Sequence, residues 1–214
     1  MLLAIDTSAG TSAAVVDRRG GVLAERSSAD TRQHAEVVGI LISGVLAEAG
    51  TAVAALSGVA VGMGPGPFTG LRVGIAAAQA FALGAGIPVV RVVSHDAIAF
   101  AHYSAGASGR LLVVTDARRR EVYWSGYAGA SAAGIPDRVL GPELVRPDAL
   151  ANVLGGAGFP LDDTERIDAE EVSAGAVGML AETMFSAGVP FAAAAPLYLR
   201  SPDVTLSAGP KRVG

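Results

Sequence analysis

The sequence predicts an α/β protein, and three observations carry that prediction. Short apolar runs of strand length alternate along the chain with longer apolar runs of helical length. The opening run, Leu2-Leu-Ala-Ile-Asp6, has a counterpart in Leu111-Leu-Val-Val-Thr-Asp116. Each is an apolar strand that ends on Asp and leads through a polar turn into a second strand. Residues 117–124 fill in the second unit the slot that residues 7–16 fill in the first. This suggests two duplicated halves, with chance similarity between two strand–turn–strand units as the alternative. The linker Ser104-Ala-Gly-Ala-Ser-Gly109 divides the chain into residues 1–104 and 105–214, with the tail able to return to the first half.

Each element has a local reason. The strand at residues 2–5 stops at Asp6-Thr-Ser-Ala-Gly10, where short polar side chains and a glycine favour a turn. Residues 13–16 and 22–24 flank Asp17-Arg-Arg-Gly-Gly21, a hairpin signal. Thr31 reads as the N-cap of a helix running to Ala49. Residues 56–61 form a buried strand, followed by the breaker run Gly62-Met-Gly-Pro-Gly-Pro67. A second helix occupies residues 69–83, a strand 88–93, and Ser94 caps a third helix reaching Tyr103. Beyond Pro142 the pattern gives two helices, near 147–154 and 173–187, with a variable segment between them.

Composition narrows the function classes. With 214 residues, 51% hydrophobic and a net charge of -4, the chain can bury a core and is not disordered. It has no cysteine, which excludes disulfides, thiolate metal sites and a cysteine nucleophile. A pI near 5.3 argues against general nucleic-acid coating, though not against a local basic patch. All but one of the 16 basic residues are Arg, the exception being Lys211; this reflects coding bias. Residues 73–90 carry no charge but are broken by Gln79 and Gly84-Ala-Gly-Ile-Pro88. A membrane span is therefore not expected, and a soluble, cytoplasmic protein is.

Two helices have too few polar residues. Between Glu36 and Glu48 no charge occurs, and the helix after residue 72 is as bare. Gly70, Gly74, Ala77, Phe81 and Gly84 align at helical spacing, so another backbone could approach along that stripe. One reading buries both helices inside the domain. The favoured one exposes an apolar face that docks a partner or a second copy, centred on Val38, Ile42, Val45, Gly70, Gly74, Ala77 and Phe81.

The most specific stretch is Gly64-Pro-Gly-Pro-Phe-Thr-Gly-Leu-Arg-Val-Gly74. A strand, a Gly/Pro turn and a helix start can present N–H groups to an anion. It is not a P-loop, because no Lys-Ser/Thr follows Gly70, and no register completes Gly-x-Gly-x-x-Gly.

With its surroundings this stretch resembles the TsaB family, also called YeaZ, of tRNA threonylcarbamoyladenosine biosynthesis proteins. The resemblance covers nearly the whole chain. It rests on Leu3-Ala-Ile-Asp-Thr-Ser8, Arg32-Gln-His-Ala-Glu36, the turn carrying Gly64, Gly66, Thr69, Gly70 and Arg72, Val93-Ser94, Asp116-Ala-Arg-x-x-Glu121-Val-Tyr123, and Pro196-Leu-Tyr-Leu-Arg200. Residues 129–168 carry little of it.

The resemblance implies an actin/hexokinase/Hsp70-like fold of two duplicated lobes. It implies a non-catalytic subunit beside TsaD, with the ATPase TsaE, in the transfer of threonylcarbamoyl to N6 of adenosine 37 in ANN-reading tRNAs. The two polar-poor helices would pair with TsaD in a four-helix bundle, or with a second copy when TsaD is missing. No cofactor is expected to bind firmly to this chain; ATP or ADP and metal belong to the partners.

The catalytic relative TsaD carries a His-x-x-x-His metal pair where this chain has His95 and Ala99. A lone imidazole cannot hold the ion, so His95 is expected to be solvated or capping, and His34 to order the first turn of its helix. Asp6 and Asp116 end the paired strands where nucleotide-binding relatives place carboxylates, and with Ser8 they form a candidate vestigial nucleotide site. The plainer alternative is a pair of turn-capping residues. Ser8 and Ser12 lack a convincing His partner, against a serine hydrolase. Arg118-Arg-Arg120 is the one dense basic run: a solvated turn, or a tRNA phosphate contact. The rival to the accessory subunit is a stand-alone ATP- or metal-dependent hydrolase or transferase using Asp6 and Asp116.

Overall fold

The computed structural model describes residues 1–30 and 33–200. The first half runs β1 (Leu2–Asp6), β2 (Thr11–Asp17), β3 (Gly21–Ser28), α1 (His34–Glu48), β4 (Gly58–Gly62), α2 (Phe68–Ala85), β5 (Val89–Val92) and α3 (Ser94–Ser104). The second runs β6 (Arg110–Asp116), β7 (Val122–Ala130), β8 (Pro136–Val145), α4 (Leu150–Gly156), β9 (Thr164–Ala169) and α5 (Ala174–Ala187). One sheet has the order β3-β2-β1-β4-β5 and the other β8-β7-β6-β9. In each, the strand that opens the half pairs antiparallel with the next strand and parallel with the strand after a helix. This repeated topology makes the duplication visible and gives the two-lobed, actin/hexokinase/Hsp70-like fold.

β1 is apolar from Leu2 to Ile5 because both its faces are covered. Leu3 and Ile5 join Val15, Val59, Val61 and Leu71 under α1 and α2. Leu2 and Ala4, on the other face, join Val16 and Ala60 under Val177, Leu180 and Ala181 of α5 and Ala97 of α3. Each fully buried aliphatic side chain there contributes about 1.5–3 kcal/mol. The last helix thus seals the first sheet. The seal is close, since a Cβ on Gly178 would lie 2.7 Å from Val16.

The helix face differs from the expected one. Val38 and Val45 are buried in the first core, and Ile42, Ala77 and Phe81 are half-buried against it. Gly70 and Gly74 also face inward. A Cβ at Gly74 would collide with Thr7 Oγ1, and one at Gly70 would stand 2.6 Å from Thr7 O. Gly70 and Gly74 are therefore the seam along which α2 lies on the β1–β2 turn, while Gly84, at the far end of the stripe, faces open space. Helical spacing identified a face without saying which way it points. The outward side carries Ala35, Gly39, Ile40, Ser43 and Ala47 on α1, and Ala76, Gln79, Ala80 and Leu83 on α2. Ile40 is 66% and Leu83 85% exposed. By length and composition α2 could cross a membrane, with 28% of it buried here.

Other local expectations shift as well. α1 begins at His34 with Gln33 in the N-cap position; Thr31 lies outside the described residues. Val93, not Ser94, caps α3. The segment before α5 holds β9, and residues 136–145 form β8, neither of which the pattern revealed.

Candidate functional site

Asp6 ends β1 and is 1% exposed. Its Oδ1 accepts from the Ser8 N–H at 2.7 Å and the Ser8 hydroxyl at 2.6 Å, and its Oδ2 accepts from the Ser94 hydroxyl at 2.6 Å. Ser94 Oγ in turn accepts from the N–H of Gly64 at 3.1 Å. One carboxylate thus ties the β1–β2 turn, the Gly-Pro-Gly turn and the start of α3 together. Gly62 presses on it so closely that a Cβ would overlap Asp6 Oδ2. Burial pushes the Asp6 carboxyl up, and the three hydrogen bonds pull it back. Buried and accepting on both oxygens from its own neighbours, Asp6 acts here as a turn-capping group, the plainer of the two alternatives.

The glycines of the 64–74 turn serve the same closeness. A Cβ at Gly66 would stand 2.8 Å from Ser8 Cα, and Thr7 Oγ1 donates to Gly70 O at 2.7 Å. Thr69 and Arg72 stay exposed, with Arg72 stacked 3.6 Å over the Phe68 ring.

Asp116 repeats the Asp6 turn in the second lobe but at the surface. Its Oδ1 accepts from the Arg118 N–H at 2.8 Å, and its carboxylate pairs with Arg118 at 3.3 Å. Arg118, Arg119 and Arg120 then all adopt positive φ, at 63°, 54° and 62°. Such residues cost roughly 1–2 kcal/mol each when not glycine, so the surroundings must hold them. The Glu121 N–H donates to Arg118 O at 3.1 Å, and the Ala117 N–H to Glu121 O at 3.0 Å. Arg200 pairs with Glu121 and reaches Arg118 O. The late segment that brings Arg200 there is itself anchored. Leu197 N–H donates to Met63 O at 2.9 Å, and Tyr198 packs on Phe68 with ring centroids 4.7 Å apart.

Between these turns opens a cleft of about 540 Å³. One wall is Ser8, His34, Thr69 and Gly70; the other is Asp116, Arg118, Asp168, Glu170 and Glu171. The carboxylates outnumber the one arginine, a poor match for nucleotide phosphates. His34 is buried at the cleft wall, its Nδ1 2.7 Å from Thr11 Oγ1, and burial lowers its pKa.

His95 is neither solvated nor capping. It is fully buried on α3 and points into the second lobe, with Nδ1 2.8 Å from Ser125 Oγ and Nε2 2.9 Å from Thr115 Oγ1. Burial, helped by Arg138, lowers its pKa to about 3, so the ring is neutral. Beside it, Asp96 accepts from Tyr127 Oη at 2.9 Å and pairs with Arg138 at 3.0 Å. These consecutive α3 residues latch the first lobe onto the second sheet. Sequence reasoning missed Ser94, Asp96, Arg138 and the Glu121–Arg200 pair as actors. Ser94 and the Glu121–Arg200 pair had a signal, since all three residues sit in motifs already noticed; Asp96 and Arg138 had none. Among the described residues no group of three or more His, Asp or Glu is placed to hold a metal ion.

Residues 5–193 match the family described as TsaD, tRNA N6-adenosine threonylcarbamoyltransferase. An uncharacterized protein of Mycobacterium tuberculosis is 46% identical over 145 residues, covering 67% of this chain and 64% of that one. The tRNA threonylcarbamoyladenosine biosynthesis protein TsaB of Escherichia coli is 33% identical over 148 residues, again 67% and 64%. The chain thus spans just under two thirds of the length of these curated relatives. YeaZ from Pseudomonas aeruginosa superposes with a TM-score of 0.70 at 26% identity, over 87% of this chain and 92% of that one. An opening Asp-Thr-Ser turn, a glycine-packed second helix and a second lobe built to the same plan agree with these matches, and the chain belongs to the TsaB/YeaZ family.

Proposed function

We propose that this chain is an accessory subunit in the formation of N6-threonylcarbamoyladenosine at position 37 of ANN-reading tRNAs, working by binding and organising a TsaD-type partner. The observation that carries the reading is the outward face of α1 and α2. Ile40 and Leu83 stand exposed in a field of Ala and Gly, with no charge on α1 between Glu36 and Glu48. Water contact along such a face is costly, and a second helix pair relieves it. The same face closes a homodimer when the partner is missing. The residues at work are Ile40 and Leu83 with the half-buried Ile42, Ala77 and Phe81 at the rim, in place of Val38, Val45, Gly70 and Gly74.

Catalysis then falls to the partners, TsaD with TsaE, which also bring ATP or ADP and metal; the cytoplasm, where tRNA is modified, is the setting. The inward, neutral His95 and the buried Asp6, bonded to its own neighbours, favour this over a stand-alone hydrolase or transferase. The test is co-purification with the TsaD-type protein of the same cell, followed by the transfer assay with and without this chain. Stable association and dependence of the transfer on this chain are expected. Full transfer without it, or transfer or hydrolysis by this chain alone, overturns the reading.

A further inference from the structure

Three consecutive arginines in left-handed backbone are the most strained feature on the surface, and strain that the surroundings go to lengths to hold is a pointer to use. The anchors are the Asp116 turn, the Glu121 N–H, and Arg200 arriving from the far end of the chain. Arg118 and Arg119 also have further interactions within the chain. Behind Arg200, the Phe68–Tyr198 ring pair carries Arg72 stacked at 3.6 Å. In a chain of net charge -4, Arg118, Arg119 and Arg120 are all exposed on this turn beside the cleft, and Arg200 and Arg72 are linked to it through Arg118 O and the Tyr198–Phe68 pair.

We propose that this corner, with Arg118, Arg119 and Arg120 in front and Arg72 and Arg200 behind, contacts the phosphodiester backbone of RNA. The inference rests on the tRNA-modification reading above and gives that reading a direct contact from this chain. Position favours a backbone over a free nucleotide. The cleft lining includes Asp168, Glu170 and Glu171, which repel a compact polyphosphate, while Arg119 and Arg120 are exposed outside that lining. Exposed guanidinium groups with an adjoining aromatic pair suit a strand passing outside the cleft.

The experiment measures binding of an unmodified tRNA transcript across a range of salt concentrations. It uses the full chain alone and in complex with its TsaD-type partner. For Arg119→Ala/Arg120→Ala we expect affinity to fall about tenfold and the slope of log K against log salt to shrink by ~2, near 0.9 for each lost phosphate contact. Arg119→Lys/Arg120→Lys should retain most of both. Thermal unfolding and partner binding of the alanine variant should stay at wild-type values, which separates this proposal from the docking face. An alanine variant with unchanged affinity and slope overturns it. So does a wild-type chain and complex that bind no RNA, or a corner whose binding is reproduced by ADP and abolished by it. Loss of partner association in the wild type would instead count against the accessory-subunit reading and leave salt-dependent RNA binding by the chain alone standing.

Discussion

At Asp6 a single buried carboxylate accepts from three donors, and Ser94 supplies the one that comes from another element. Ser94→Ala leaves Asp6 Oδ2 without that donor in a site closed to water. The expected loss is about 2 kcal/mol, read by urea unfolding; a loss under about 0.5 kcal/mol would show that Ser94 is dispensable. Gly74→Ala should be similarly costly, because its methyl meets Thr7, and Gly74→Arg should unfold the chain rather than merely release a partner. His95 gives a pH signature. The unfolded chain takes up a proton near pH 6.5 that the folded chain refuses until about pH 3, so stability is intact above 6.5 and drains as acid is added. From about pH 7 to about pH 5.5 this one group removes about 1 kcal/mol. His34 adds to the loss in the same direction, while Asp6 and Asp96, raised by burial, act in the opposite one as they gain protons. Denaturation of His95→Asn at the two pH values should show a correspondingly flatter dependence. The turn-capping role of Asp6 and Asp116 was legible as the plainer alternative, since each ends an apolar run and opens a polar turn. The destination of His95 was not, because a lone histidine in a short helix does not declare which side faces the second lobe.

Among the elements, those that bury both faces were the easiest to read. β1, β4 and β6 are continuous apolar runs, and α2 has a breaker before it and Gly86, in left-handed conformation, after it. β8 and β9 escaped for the opposite reason. β8 is an edge strand interrupted by Pro142, half-buried with no clean alternation, and β9 reads Thr-Glu-Arg-Ile-Asp-Ala with charges on its open side. The polar-poor helices were legible as a pair, but their orientation needed the structure. That orientation predicts a sharp contrast. Ile40→Asp and Leu83→Asp should change stability by no more than about 0.5 kcal/mol, as substitutions of exposed side chains do. Both should abolish self-association in sedimentation and co-elution with the partner. Val45→Asp, one helix turn or so from Ile40 but in the core, should fail to fold because it buries an unpaired charge. If the two surface variants still sediment as dimers and still carry the partner through a column, another face does the docking.

At the scale of the whole molecule, the two halves are repeated in sequence order but interlocked in space. α3 reaches from the first half into the second sheet through His95 and Asp96, and α5 reaches back to cover the first. The division at residues 104 and 105 was readable as a linker, yet it separates pieces that complete one another. Contacts such as Ser12 Oγ to Val172 O, at 2.6 Å, join positions far apart in the chain. A fragment of residues 1–168 should therefore remain unfolded or aggregate, measured by near-ultraviolet circular dichroism and light scattering; a soluble fragment with native-like spectra would mean that α5 is an ornament. The interlock has a consequence on the ribosome. A nascent first half emerges with Leu2, Ala4, Val16 and Ala60 in need of a lid that has not yet been translated. Until residue 187 clears the exit tunnel, that sheet must wait with one side bare, in the hands of whatever holds unfinished chains.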